Sequence, residues 1–175
     1  HVANPHSFLG RTIYTSPVDG KNLNRVYPGK PDGTISERIA HTITTQVIER
    51  ADYLLDMHGG DGNEILRPYI YMPVTGNDEL DAKVRGMALA FGLDHIVIDP
   101  AQLADPAASV FTDQTGLSRG IPAITTETGQ MGSNDDYWVD LARDGVINLI
   151  RHLKMIDEKE IPNQGVVWLK DYEVI

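Results

Sequence analysis

Cysteine is absent from this 175-residue chain, which excludes disulfide frameworks, thiolate zinc sites and cysteine nucleophiles together. No apolar run approaches the roughly 20 residues that a bilayer span needs, and there is no internal repeat or low-complexity tract. Positive charge is scarce. Against 25 acidic side chains stand 15 Lys plus Arg, and the net charge of -10 argues against a nucleic-acid backbone as partner while leaving room for a local site that takes a small anion. What is there, 41% hydrophobic and 23% charged residues, is the composition of an ordinary globular protein, and the length suits one compact domain with a substantial core.

The first residue is His1 rather than Met, and nothing near it has the layout of a signal peptide. We expect the chain to be part of a longer protein, with a cytoplasmic location as the default. At the other end, Val166 to Ile175 is rich in β-branched and aromatic residues and reads as a strand in need of a partner. The expected division is residues 1–160 as part of an α/β domain and 161–175 as the start of a C-terminal β domain or a linker strand.

Residues 1–34 carry Pro5, Gly10, Pro17, Gly20, Pro28, Gly29, Pro31 and Gly33, a density of breakers that excludes a long helix. Within them Ser16 to Gly29 also holds two Asn, one Lys and one Arg, and long irregular segments in compact domains are disproportionately functional. Ser36 offers an N-cap for a helix reaching about Arg50. Strands are expected over Tyr53–Met57, Tyr69–Met72, His95–Ile98 and Ile121–Thr126. Helical spacing recurs from Leu80 to Phe91, capped by Gly92, and again from Val139 to Leu153. Residues 99–120 form an irregular crossover. The alternation implies an α/β fold: three layers, a mostly parallel or mixed central sheet, and helices on both faces.

In open α/β sheets ligands bind outside the carboxyl ends of the strands. Two strand-terminating residues there have chemistry to offer. His58 is followed by Gly59 and Gly60, which permit a sharp turn and leave room beside the imidazole. Glu127 is followed by Thr128 and Gly129. If their strands are parallel neighbours, the two side chains meet on one rim. Neutral imidazole is the commonest protein ligand for metals, and a carboxylate beside a metal-bound water can take its proton, a pairing that suggests hydrolysis. Zinc sites of this kind use three protein ligands, of which only one stands out. Taken singly, a His before Gly-Gly is more often a turn residue, Glu127 is as readily a solvated or Arg-paired carboxylate, and Asn24 with Arg25 a turn former and a surface charge.

Taken together, DGKNLNRVYPG (Asp19 to Gly29), ADYLLDMHGG (Ala51 to Gly60) and ITTETG (Ile124 to Gly129), with NPHSF (Asn4 to Phe8) before them, resemble the succinylglutamate desuccinylase and aspartoacylase family, part of the wider zinc carboxypeptidase-like group. The resemblance runs from about residue 3 to about residue 150. It implies one zinc per chain, with His58 as its third ligand and the other two in a His-Gly-x-Glu motif upstream of His1. It implies Glu127 as the general base, Asn24 and Arg25 as the pair that holds a substrate carboxylate, and Arg11 as the nearest candidate for the arginine that stabilises the oxyanion.

The function implied is zinc-dependent cleavage of the amide of an N-acyl amino acid or similar small carboxylate-bearing substrate, with no nucleic-acid or membrane partner and with homo-oligomerisation left open. Two alternatives stand beside it: a zinc carboxypeptidase acting on a peptide, and a non-catalytic anion-binding domain of the same fold.

Overall fold

The computed structural model describes residues 2–100 and 105–170. Their contacts separate into two compact units that interleave along the chain. The first holds the described residues through Leu54 and those from 105 through Ile121; the second holds those from Leu55 through 100 and from Pro122 onward.

The first unit has little regular structure before residue 34, as the breakers require. A six-residue helix, α1 (Pro5–Gly10), starts from Asn4, whose side-chain oxygen accepts from the Ser7 N–H at 3.3 Å, with Pro5 at the first helical position. A single 3-10 turn follows at Leu23–Arg25. The next helix, α2 (Ile35–Gln46), begins earlier than Ser36 would allow as a cap. Thr34 is the N-cap, and the Glu37 carboxylate accepts from its N–H at 2.8 Å. Ser36 is fully buried and has another task, donating its N–H and hydroxyl to Asp19 at 2.8 and 2.9 Å.

That bond ties the irregular loop to the helix. Gly29 makes a second tie: a Cβ there would lie 2.1 Å from the His41 nitrogen and 2.3 Å from the Glu37 carbonyl oxygen, so the loop packs backbone against backbone where only glycine fits. Tyr27, Ala40 and Ile48 form the buried centre of this unit, flanked by Leu23, Val26, Ile43, Leu54 and Ile121. The segment expected to be irregular contains a 3-10 turn at Pro106–Ala108 and a short helix, α3 (Thr112–Leu117). Residues 101–104 of it lie outside the described residues.

The second unit is built on the sheet. Its strands are β1 (Leu54–His58, with Leu54 contributed by the first unit), β2 (Tyr69–Val74), β3 (His95–Pro100), β4 (Ala123–Glu127) and β5 (Val167–Leu169), in the order β1-β4-β2-β3-β5. The pairs β2–β3 and β3–β5 are parallel, but β4 runs antiparallel to β2, with Tyr69 opposite Glu127, so the sheet is mixed. The second strand runs past the expected Tyr69–Met72, and Pro73 lies inside it, fully buried. Of the expected terminal strand, residues 167–169 join this same sheet beside β3, Val166 and Lys170 fall outside the strand, and 171–175 lie outside the described residues.

Two helices, α4 (Asp78–Phe91) and α5 (Asp136–His152), pack against each other. Gly92 closes α4 in the left-handed conformation, as expected of a glycine cap. Gly145 on α5 gives room to the Phe91 ring, which a Cβ would approach to 2.5 Å. Val139, placed on the apolar face by its spacing, is 54% exposed; the contact face of α5 is instead carried by Gly145, Asn148 and Leu149. Buried Asn148 donates to the Ala90 and Ile161 carbonyls and accepts from the Ile161 N–H, satisfying both ends of its amide.

The loop–helix tie makes the first unit acid-sensitive. The Thr34 N–H, then the Lys21 ammonium 3.1 Å away, hold the Glu37 carboxyl down to about 2 from its ordinary 4.5. For Asp19, burial works to raise the value, but several hydrogen bonds, led by that from the Ser36 N–H, outweigh it and the carboxyl titrates well below the usual range. Carboxyls that are more acidic in the folded state stabilise it above their unfolded pKa and lose that contribution as pH falls through the folded value. Denaturant unfolding should therefore show stability falling as pH drops from about 4.5 towards 2, and Glu37→Gln should flatten that slope.

Candidate functional site at the strand ends

β1 and β4 are neighbours in the sheet, and their carboxyl ends lie side by side: the Thr128 N–H donates to the His58 carbonyl at 3.0 Å. His58 and Glu127 therefore meet, with Nδ1 of the imidazole 3.1 Å from Oε1 of the carboxylate. The other ring nitrogen is also engaged. Asp56 lies two residues earlier on the same strand, hence on the same face, and its Oδ2 is 3.2 Å from His58 Nε2.

One imidazole is thus held between two carboxylates in a partly buried setting. The bond to Asp56, then that to Glu127, stabilises the imidazolium more than burial opposes it, and the His58 pKa is raised from 6.5 to about 10. His58 is thus a positive charge between two carboxylates at neutral pH. Beyond it, burial and then repulsion from Glu64 push the Asp61 carboxyl upward.

The two glycines after His58 have different work. Gly59 faces open space, whereas a Cβ on Gly60 would lie 2.6 Å from Gln130 Cα and 2.7 Å from the Gly129 carbonyl oxygen. The turn after β1 and the turn after β4 pack backbone to backbone at Gly60, and the Gly132 N–H donates across to the Gly60 carbonyl at 2.8 Å. Only the first glycine faces open space. The second brings the two strand ends together.

Tyr69 stands opposite Glu127 in the register of β2 and β4, and its hydroxyl lies 3.1 Å from that of Tyr71, two residues along. Burial, then the bond to Tyr71, keeps the Tyr69 phenol protonated far above neutral pH.

Asn24, Arg25 and Arg11 belong to the other unit. Asn22 caps the 3-10 turn that carries the first two, accepting from the Asn24 N–H at 2.9 Å. The Asn24 side-chain oxygen accepts from the N–H and the hydroxyl of Thr112 at 2.8 and 2.9 Å. Exposed Arg25 lies over the Phe111 ring, 4.6 Å from its centre, and makes no ion pair among the described residues. Arg11 ends α1 in the left-handed conformation, φ 50°, with its side chain exposed.

Among the described residues no three His, Asp or Glu side chains are grouped so as to enclose a metal ion. The residues present fit one ligand position: a single imidazole with Asp56 at one ring nitrogen, the usual support of a metal-binding histidine, and Glu127 at the other, which a bound metal would displace from the ring. Sequence reasoning missed Asp56, whose signal was its two-residue spacing from His58. It also missed Tyr69, Phe111 and Thr112, for which only long-range pairing gives the reason.

Fold and site together define an α/β domain with a histidine–carboxylate pair at the carboxyl ends of adjacent strands. Residues 1–153 match the family model described as succinylglutamate desuccinylase/aspartoacylase catalytic domain, and the chain belongs to that family. It is 28% identical over 156 residues to the N-alpha-acetyl-L-2,4-diaminobutyric acid deacetylase of Halomonas elongata, a match covering 89% of this chain and 44% of that protein.

Two solved structures share the three-layer α/β fold. The succinylglutamate desuccinylase/aspartoacylase from Rhodobacter sphaeroides is 30% identical with a TM-score of 0.78, over 90% of this chain and 45% of that one. The product-bound ectoine utilization protein EutE (DoeB) from Ruegeria pomeroyi is 26% identical with a TM-score of 0.81, over 97% and 51%. The chain thus spans about half the length of the relatives it matches. Among the described residues, no helix is long and apolar enough to cross a membrane.

The backbone contact at Gly60 yields a test. Gly60→Ala should cost about 1–3 kcal/mol by overpacking, measured by denaturant unfolding, and should separate His58 from Glu127. Gly59→Ala, facing open space, should cost less than 1 kcal/mol (order of magnitude).

Proposed function

We infer that the protein to which this chain belongs hydrolyses the amide of an N-acyl amino acid, with Glu127 as the general base, and that it uses zinc. The observation that carries the reading is the 3.1 Å approach of His58 to Glu127 at two strand ends. Family membership and the deacetylase named among its relatives support it.

His58 would hold the metal through one ring nitrogen, with the other two ligands upstream of His1, as the resemblance implies. Zinc supplies Lewis acidity, lowering the pKa of a water it binds from 15.7 to about 7. Glu127 accepts the proton of the attacking water as the oxygen bonds to the acyl carbon, then delivers it to the departing nitrogen as the C–N bond breaks. Water is thereby divided between an acyl carboxylate and a free amine. Asp56 and the sheet hold the imidazole in place meanwhile.

In the first unit, Arg25 presents a planar fork of donors suited to a carboxylate, and Asn24 an adjacent amide. We assign them to the substrate's carboxylate and Arg11 to the oxyanion. Residues 1–160 are then part of the catalytic domain.

Glu127→Gln in the full-length protein should retain metal and lose about 10²–10⁴-fold in kcat; near-normal turnover would remove Glu127 from its role. Arg25→Ala should act chiefly on KM. Because His58 keeps its proton to about pH 10 when metal-free, zinc uptake must displace that proton and should strengthen as pH rises. Calorimetric titration of metal-stripped protein in two buffers of different ionisation enthalpy reads the proton release directly.

A further inference from the structure

We propose that Phe111 and Thr112 are positioning residues that present Arg25 and Asn24 to a carboxylate-bearing ligand. All four residues lie in the first unit, and the pairing crosses 88 positions of sequence from Asn24 to Thr112. This rests on the assignment of Asn24 and Arg25 to the substrate carboxylate.

The geometry at Asn24 determines which end of the amide is free. The backbone N–H of Thr112 can only donate, so the atom it meets at 2.8 Å is the carboxamide oxygen, and the Thr112 hydroxyl donates to that same oxygen at 2.9 Å. The main-chain groups of Asn24 are also occupied, its N–H by Asn22 and its carbonyl by the Arg25 guanidinium at 2.7 Å. What remains is the two-donor NH2 of the side chain, which has no partner among the described residues. Were Asn24 only a cap for α3, its oxygen would suffice and nothing would call for a cation beside it.

A cation is beside it. Arg25 is exposed in a chain whose acidic residues outnumber its basic ones by 25 to 15, yet it is stacked on an aromatic face and, among the described residues, not paired with a carboxylate. Stacking on Phe111 restricts the guanidinium and, among the described residues, leaves its edge of N–H donors unused, apart from the one bonded to the Asn24 carbonyl. Two adjacent residues of one short segment therefore hold two adjacent residues of another, each by the end that does not bind anions. The donors left over, one neutral amide and one charged fork, are the complement of a carboxylate.

Steady-state kinetics of the full-length protein test this on a panel of N-acetyl and N-succinyl amino acids, taking the substrate turned over fastest and its primary carboxamide analogue. Phe111→Leu should raise KM for the carboxylate substrate about two- to fivefold, the worth of an exposed cation–aromatic contact. Thr112→Val, which keeps the N–H and removes the hydroxyl, should raise it by up to about tenfold. Both should leave kcat and the carboxamide's KM within about twofold. Phe111→Trp and Thr112→Ser should restore the wild-type values, which a loss of general packing would not predict.

Arg25→Ala separates the two levels of the argument. If it raises KM selectively for the carboxylate while the platform variants do not, Phe111 and Thr112 have no positioning role and the substrate assignment stands. If Arg25→Ala makes no distinction between carboxylate and carboxamide, or no panel member is hydrolysed, the assignment fails and this proposal with it. Equal losses on both substrates in the platform variants would show a purely structural role and overturn the proposal alone.

Discussion

The approach of two turns at Gly60 is the constraint on which the candidate site depends. A carboxylate and an imidazole on separate strands meet at 3.1 Å only if the chain segments that follow them can also pass in contact. At Gly60 the neighbouring backbone stands where a Cβ would be, and the Gly132 N–H and the Thr128 N–H close the gap with hydrogen bonds to the Gly60 and His58 carbonyls. The electrostatics follow from that closeness. Two carboxylates converge on one ring, and the ring keeps its proton.

The same device appears in the other unit, with different chemistry. There a long irregular loop is tied to α2 by the Asp19–Ser36 bonds and by the close approach at Gly29, and its tip carries Asn24 and Arg25. In both places glycine lets backbones touch, and a buried or half-buried acceptor consumes the donors of a helix end or a turn. The irregular sequence is thereby as well determined as the sheet, although it contains almost no regular structure.

Much of the arrangement was legible in advance. His58 and Glu127 were conspicuous because each is a reactive side chain at the end of an apolar run and just ahead of glycine, and strand ends are where α/β folds place their ligands. Gly92 as a helix cap and the helical spacing of α4 followed from local rules that involve only neighbouring residues. Where reading failed, the deciding contact was distant in sequence. Ser36 looked like a cap and is instead a buried donor to Asp19. Val139 fitted the apolar spacing of α5 and is exposed, because the face that packs on α4 is set by Gly145 and Asn148.

By itself the amino-acid sequence determined the periodic elements, the α/β class, the residues able to do chemistry and the family resemblance, because propensity, spacing and short motifs act over a few residues. Only the tertiary structure decided that the sheet is mixed with β4 reversed against β2, that Asp56 shares His58 with Glu127, and that Phe111 and Thr112 stand behind Arg25 and Asn24. Those outcomes turn on which strands become neighbours and which loops close over long stretches of chain. No local preference encodes that choice, which is made by the packing of the whole.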